Sequence, residues 1–190
     1  MDIILFGMQG SGKGTQGKIL GTIPDFFHCA CGDVFRNLTI DSPLGRTFVA
    51  YSSKGELVPD KYTVQLWSEN IRAQTQLARF DPTKDTLVLD GIPRNRPQAE
   101  MLTEALNVVA VFILVCPDME KLVQRLQRRA LRDNRLDDAN LDVIRNRLNV
   151  YETETAPVLD FYGPDLVHQV DGTQTPINVL RDILRVIATT

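Results

Sequence analysis

The chain has 190 residues, 43% of them hydrophobic and 24% charged, a composition that excludes a disordered or fibrous protein and fits one compact domain. Twenty-one Lys and Arg against 24 Asp and Glu leave a net charge of −3, so the overall balance points neither to nucleic acid nor to an anionic membrane surface. An anionic ligand must therefore be held by a local site.

In chain order, short apolar runs alternate with longer amphipathic stretches. Residues 3–6, 26–29, 86–89, 108–115 and 166–170 are the expected strands, and helical patterns lie between them. Five such strands predict an α/β fold with a parallel, doubly wound sheet. The run at 108–116 is far short of the roughly 20 residues that span a bilayer, and Pro117 ends it. No signal peptide is legible after Met1-Asp2, so Sec-type export is not expected. Leu141, Ile144, Leu148 and Tyr151 recur at helical spacing, and Pro157 should kink or end that stretch. Ile177, Leu180, Leu184 and Ile187 predict a last helix, with Thr175 as N-cap and Pro176 at its first position. Residues 30–59 and 129–138 fall outside the alternation and read as insertions at the carboxyl edge of the sheet, where open α/β sheets bind ligands. Three cysteines, Cys29, Cys31 and Cys116, without a C-x-x-C pair argue against disulfides and against a zinc site and suit a cytoplasmic protein. His28 and His168 read as structural.

The run Gly7-Met8-Gln9-Gly10-Ser11-Gly12-Lys13-Gly14-Thr15 follows the first strand and precedes a helix, the context that makes G-x-x-x-x-G-K a phosphate loop. Its glycines turn backbone N–H groups toward phosphate oxygens, the helix N-terminus adds positive potential, and Lys13 adds a point charge. Gly14 stands where a hydroxyl residue is usual, and Thr15 follows it.

On this G-K-G-T-Q run the chain resembles the nucleoside monophosphate kinases, and the adenylate kinase family with a short lid in particular. Further motifs occur in the family's order along the whole chain. Cys31-Gly32-Asp33-Val34-Phe35-Arg36 resembles the segment that opens the monophosphate-binding insertion at 30–59. The resemblance gives Arg36 the AMP phosphate, although alone it would read as a surface arginine. Gly55-Glu56-Leu57-Val58-Pro59-Asp60 resembles the G-x-L-V-x-D segment lining the AMP adenine pocket, so Glu56, Leu57 and Val58 are expected there. An apolar strand delivers Asp90, then Gly91, Ile92, Pro93 and Arg94, and the resemblance puts Cys31 and these last four on AMP. Asp90 stands where a phosphate-loop enzyme wants a carboxylate for magnesium-bound water, and Arg94 would face the phosphates. Gln98 resembles the glutamine that reads the AMP adenine edge.

Arg125, Arg129 and Arg132 share one helical face, an arrangement that alone would read as a solvated flank; the resemblance instead counts Arg125 and Arg129 with Lys13, Asp90, Arg94, Arg135 and Arg147 as catalytic. By resemblance Arg129 meets ATP in front of a short lid at 129–138, and Arg135 and Arg147 meet the phosphates of both nucleotides. Asp171-Gly172-Thr173 places the Gln174 backbone beside the ATP adenine. ATP would rest on Gly10, Ser11, Gly12, Lys13, Gly14 and Thr15, with magnesium carried by ATP near Thr15 and Asp90 through water. Neither a direct metal ligand nor structural zinc is expected.

The cation-rich inventory suits phosphoryl transfer, which asks mostly for positioning and charge neutralisation, and a phosphate acceptor needs no general base. The resemblance implies transfer from Mg-ATP to AMP giving two ADP, by a monomer whose partners are small nucleotides (ATP, AMP and ADP) and neither nucleic acid nor membrane. Cys31 departs from the usual hydroxyl of the family, and a thiol is a weaker hydrogen-bond partner. A UMP or CMP kinase with the same phosphate machinery is the alternative, and a non-catalytic ATP-binding module a remoter one.

Overall fold

The computed structural model describes residues 1–133, 135 and 138–189; the Leu136-Asp137 part of the expected lid lies outside the described residues. The chain runs β1 (Asp2–Phe6), α1 (Lys13–Leu20), β2 (Phe26–Ala30), α2 (Cys31–Arg36), α3 (Pro43–Ser52), α4 (Asp60–Gln76), β3 (Thr86–Asp90), α5 (Arg96–Leu102), β4 (Val108–Val115), α6 (Met119–Asp133), α7 (Leu141–Val150), α8 (Val158–Tyr162), β5 (Val167–Asp171) and α9 (Pro176–Ile187). All strand pairs are parallel, in the order β2-β3-β1-β4-β5.

Strand periodicity sorts the apolar side chains onto two faces. From β1, Ile4 and Phe6 join Leu87, Leu89 and Val111 in one core with Trp67 of α4 and Leu102 of α5. Ile3 and Leu5 join Val88, Ala110, Phe112 and Leu114 in another with Leu20 of α1 and Val179 and Ile183 of α9. Burial on both faces explains why these strands read as continuous apolar runs. A third cluster, Cys116, Leu122, Leu126, Ile144 and Leu148, joins α6 to α7.

Two helical expectations are refined. The buried stripe of α9 is centred on Val179 and Ile183, while Ile177 is 73% exposed; Thr175 takes the N-cap backbone conformation but makes no side-chain capping bond. The stretch after Leu141 leaves the α-helix before Pro157: a π-helical turn spans Tyr151–Thr155, closed by Ala156 N donating to Tyr151 O at 2.8 Å. Pro157 has no N–H to continue the ladder, and α8 starts after it. Residues 129–133 of the expected lid continue α6. No helix among the described residues is long and apolar enough to cross a membrane.

Candidate active site

The crossovers from β1 and β3 run to opposite sides of the sheet, and the crevice at the carboxyl ends of these central strands opens there. The loop after β1 turns through Gly7, Gly10 and Gly12 at φ of 132°, 86° and 112°, values that L side chains rarely adopt. Lys13, at the start of α1, folds back so that Nζ donates to Gly7 O and to Met8 O, the latter at 3.0 Å. Burial pulls its pKa down to about 8; Asp90 opposes this, and Arg94, Arg129 and Arg147 add to it. Arg125 Nη1 donates to Gly10 O and Gly172 O, 3.2 Å each, and so ties the loop to the turn after β5. Arg125 therefore acts on the backbone frame of the loop.

Asp90 ends β3 and faces Lys13. Burial disfavours its charge, yet the carboxyl is held below its ordinary range by His28, Lys13 and Arg94. His28 Nε2 lies 3.8 Å from Asp90 Oδ2, beyond direct hydrogen-bond distance. The imidazole is wedged against α1, where a Cβ on Gly17 would sit 2.2 Å from Nε2. At Gly14 a Cβ would meet Asp90 Oδ2 at 3.4 Å, an ordinary contact distance, so Gly14 lies beside the carboxylate without being forced by it.

A cavity of about 750 Å³ is lined by the whole loop from Gln9 to Gln16, by Asp90, Arg125 and Arg129, and by Gly172 and Gln174. A narrow extension of about 60 Å³ is lined by Cys31, Glu56, Leu57, Val58 and Gln98. Gly91, Arg36, Arg94 and Arg147 line both, while Arg135 lines the larger. Ile92 and Pro93 line neither; both are buried behind the wall, joined by a cis peptide bond. Burial lowers the pKa of Arg94, whose Nε donates to Gly91 O at 2.9 Å, and Thr155 Oγ1 of the π-helical turn donates to Arg94 O at 2.7 Å. Burial pushes the Cys31 thiol up to about 11, so it enters the pocket wall neutral. Arg36 Nη2 pairs with Asp33 Oδ1.

Arg129, Arg135 and Arg147 converge on one fully buried carboxylate, Asp138. Arg129 Nε donates to Asp138 Oδ2 at 2.7 Å, Arg147 Nη1 donates to Oδ1, and Arg135 Nε lies 3.5 Å from Oδ2. Sequence reading found the arginines and missed this anchor, because nothing local tells a buried aspartate from a lid-surface one. It also missed Gln9 and Thr63 on the wall of the narrow extension, Thr155 beneath Arg94, and the approach of His28 to Asp90. Gly17 in α1 and Gly21 just after it, four apart, both face His28 and were a readable signal that this histidine is closely packed, though not of its approach to Asp90.

Among the described residues no three His, Cys, Asp or Glu gather to hold a metal ion. Asp90, kept ionised, stands with Ser11 Oγ, a buried hydroxyl without a hydrogen-bond partner, on the wall that Thr15 also lines. That donor set fits a hydrated cation brought in by a phosphate ligand rather than a resident one.

A family model described as adenylate kinase matches residues 5–166. An adenylate kinase of Cyanothece sp. is 39% identical, over 97% of this chain and 94% of its own. One of Thermobifida fusca is 40% identical over 90% of each chain, and one of Bacteroides fragilis 32% identical over 100% of this chain and 99% of its own. With the phosphate loop, the strand-end aspartate and the converging arginines in the geometry above, the chain belongs to the adenylate kinase family.

Proposed function

We propose that the chain catalyses reversible transfer of the γ-phosphoryl group from magnesium-bound ATP to AMP, giving two ADP. The observation that carries this reading is that Arg36, Arg94 and Arg147 line both cavities, so cations stand where two phosphate chains would meet. Nothing in the site or among these relatives favours a pyrimidine acceptor.

ATP lies on the N–H groups of Gly10, Ser11, Gly12, Gly14 and Thr15, with Lys13 and Arg129 on its phosphates and its adenine beside the Gln174 backbone. AMP lies in the extension under residues 30–59, its phosphate on Arg36 and Arg94 and its base against Cys31, Glu56, Leu57, Val58 and Gln98. The bond from the γ-phosphorus to the β-bridging oxygen breaks as a bond to an AMP phosphate oxygen forms. Arg135 and Arg147 neutralise charge on both sides of the moving group, and no proton has to leave the acceptor. Asp90 and Thr15 would hold, through water, the magnesium ion brought in with ATP, which would supply neutralisation of phosphate charge. Closure of the 30–59 insertion and of the 129–138 lid excludes the water that would otherwise take the phosphoryl group. The chain works as a monomer on small nucleotides, and its three unpaired thiols are in keeping with the cytoplasm.

Lys13→Ala tests the site assignment. Loss of turnover by about a thousandfold or more, with an unchanged circular dichroism spectrum, is expected; retained turnover would move the reaction away from this loop.

A further inference from the structure

The G-x-L-V-x-D segment ends in Asp60, a residue the catalytic reading leaves without a task. Asp60 opens α4 and reaches across to the start of α5, where its Oδ1 accepts from Gln98 Nε2 and from Asn95 Nδ2, both at 2.8 Å. Gln98 Oε1 accepts from Arg94 N at 2.8 Å, and the Gln98 N–H donates to Asn95 Oδ1 at 2.9 Å. Gln98 is only 1% exposed and forms part of the wall of the narrow extension.

A side-chain amide is nearly symmetric in shape, so its two ends exchange by a half-turn unless its partners forbid it. Here they forbid it. The Arg94 N–H can only donate and the Asp60 carboxylate can only accept, so the oxygen must face Arg94 and the nitrogen Asp60. One N–H and one oxygen lone pair remain for a ligand, in a fixed order. Adenine offers the complement, an acceptor ring nitrogen beside a donor amino group. Hypoxanthine has the same size and shape, but its O6 accepts and its N1–H donates, the reversed order. It would be served only by the flipped amide.

We propose that Asp60 is a specificity-positioning residue, which locks the Gln98 amide in the orientation that accepts a 6-amino purine monophosphate and rejects a 6-oxo one. The inference rests on the AMP reading of the extension and deepens it. Asp60 touches no phosphate group of the proposed reaction, so its effect falls on acceptor choice and acceptor KM. A merely structural role would move stability or kcat and leave the choice alone.

The test is the ratio of kcat/KM for AMP to that for IMP, with Mg-ATP as donor. The wild-type protein should favour AMP by at least about thirtyfold, and Asp60→Ala should lower that ratio about tenfold, through a raised KM for AMP with kcat held within about threefold. Asp60→Asn keeps the size but can turn its own amide to donate, so its selectivity should fall between that of the wild type and that of Asp60→Ala. An unchanged ratio in folded Asp60→Ala would overturn the inference, as would a wild-type protein that turns over AMP and IMP equally; the latter decides the matter even if the alanine variant does not fold. Absence of AMP turnover in the wild type would instead remove the functional reading on which the inference stands.

Discussion

Gly17 of α1 and His28 of β2 are packed so closely that a Cβ on the glycine would lie 2.2 Å from the imidazole Nε2. Glycine in a helix interior ordinarily destabilises by about 0.5–1 kcal/mol relative to alanine, so its presence here marks a steric demand. Gly17→Ala is therefore expected to destabilise the protein by about 2 kcal/mol despite its better helix propensity, because overpacking costs about 1–3 kcal/mol. Urea unfolding reads this directly. In the double variant with His28→Ala the penalty should shrink, so that the two changes are far from additive. Additive effects would mean that the imidazole is not what the glycine accommodates.

Lys13 gives a pH dependence of definite sign. Its ordinary pKa of 10.5 falls to about 8 in the folded protein. Below pH 8 the buried charge opposes folding, and this penalty is relieved as the pH rises from about 8 to 10.5, where the unfolded chain still holds the proton. ATP binding runs the other way, since the phosphates need the cation. Affinity for ATP should weaken about tenfold between pH 7 and pH 9, with proton uptake on binding at the upper end. Isothermal titration in buffers of different ionisation enthalpy measures both, and a flat affinity over that range would contradict the assigned contact.

Arg125 holds two carbonyls from different parts of the chain, Gly10 of the phosphate loop and Gly172 after β5. Removing it frees the loop from the turn that flanks the ATP side. Arg125→Ala should raise the KM for ATP about tenfold and leave the KM for AMP within about twofold, whereas a direct role on the transferred phosphoryl group would show as a matching loss of kcat.

The sheet was legible because each central strand is buried on both faces and so reads as an unbroken apolar run from Ile3, Leu87 or Val108. The loop was legible because its glycines and Lys13 are contiguous. The Asp138 anchor, the Asp60 bonds to Gln98 and Asn95 and the Arg125 carbonyl contacts were not. Each joins residues whose neighbours in sequence say nothing of the partner, up to 115 positions away for Arg125 and Gly10. In the apolar stripe of α9, Leu180, Leu184 and Ile187 do pack against the core beside the buried Val179 and Ile183, and only Ile177, in the first turn, fits the period yet lies exposed. The break before Pro157 came earlier than the proline alone indicates, since the π-helical turn also brings Thr155 to the Arg94 carbonyl.

The thiols should be inert in the folded protein. Cys29 and Cys31 are buried, with pKa values pushed up to about 12 and about 11 by burial, and Cys116 is 7% exposed. A thiolate-seeking disulfide reagent at pH 8 should label none of the three within the mixing time, and all three after unfolding. Rapid labelling of Cys31 in the native protein would show that the narrow extension is wider and wetter than the structure has it.

The most direct measurement is product formation by the purified protein given Mg-ATP with AMP, GMP, CMP or UMP separately, and with no acceptor. The account predicts two ADP for each AMP consumed, and little ADP without an acceptor. Turnover with CMP or UMP in place of AMP, or ADP formed at the same rate with no acceptor present, would contradict it.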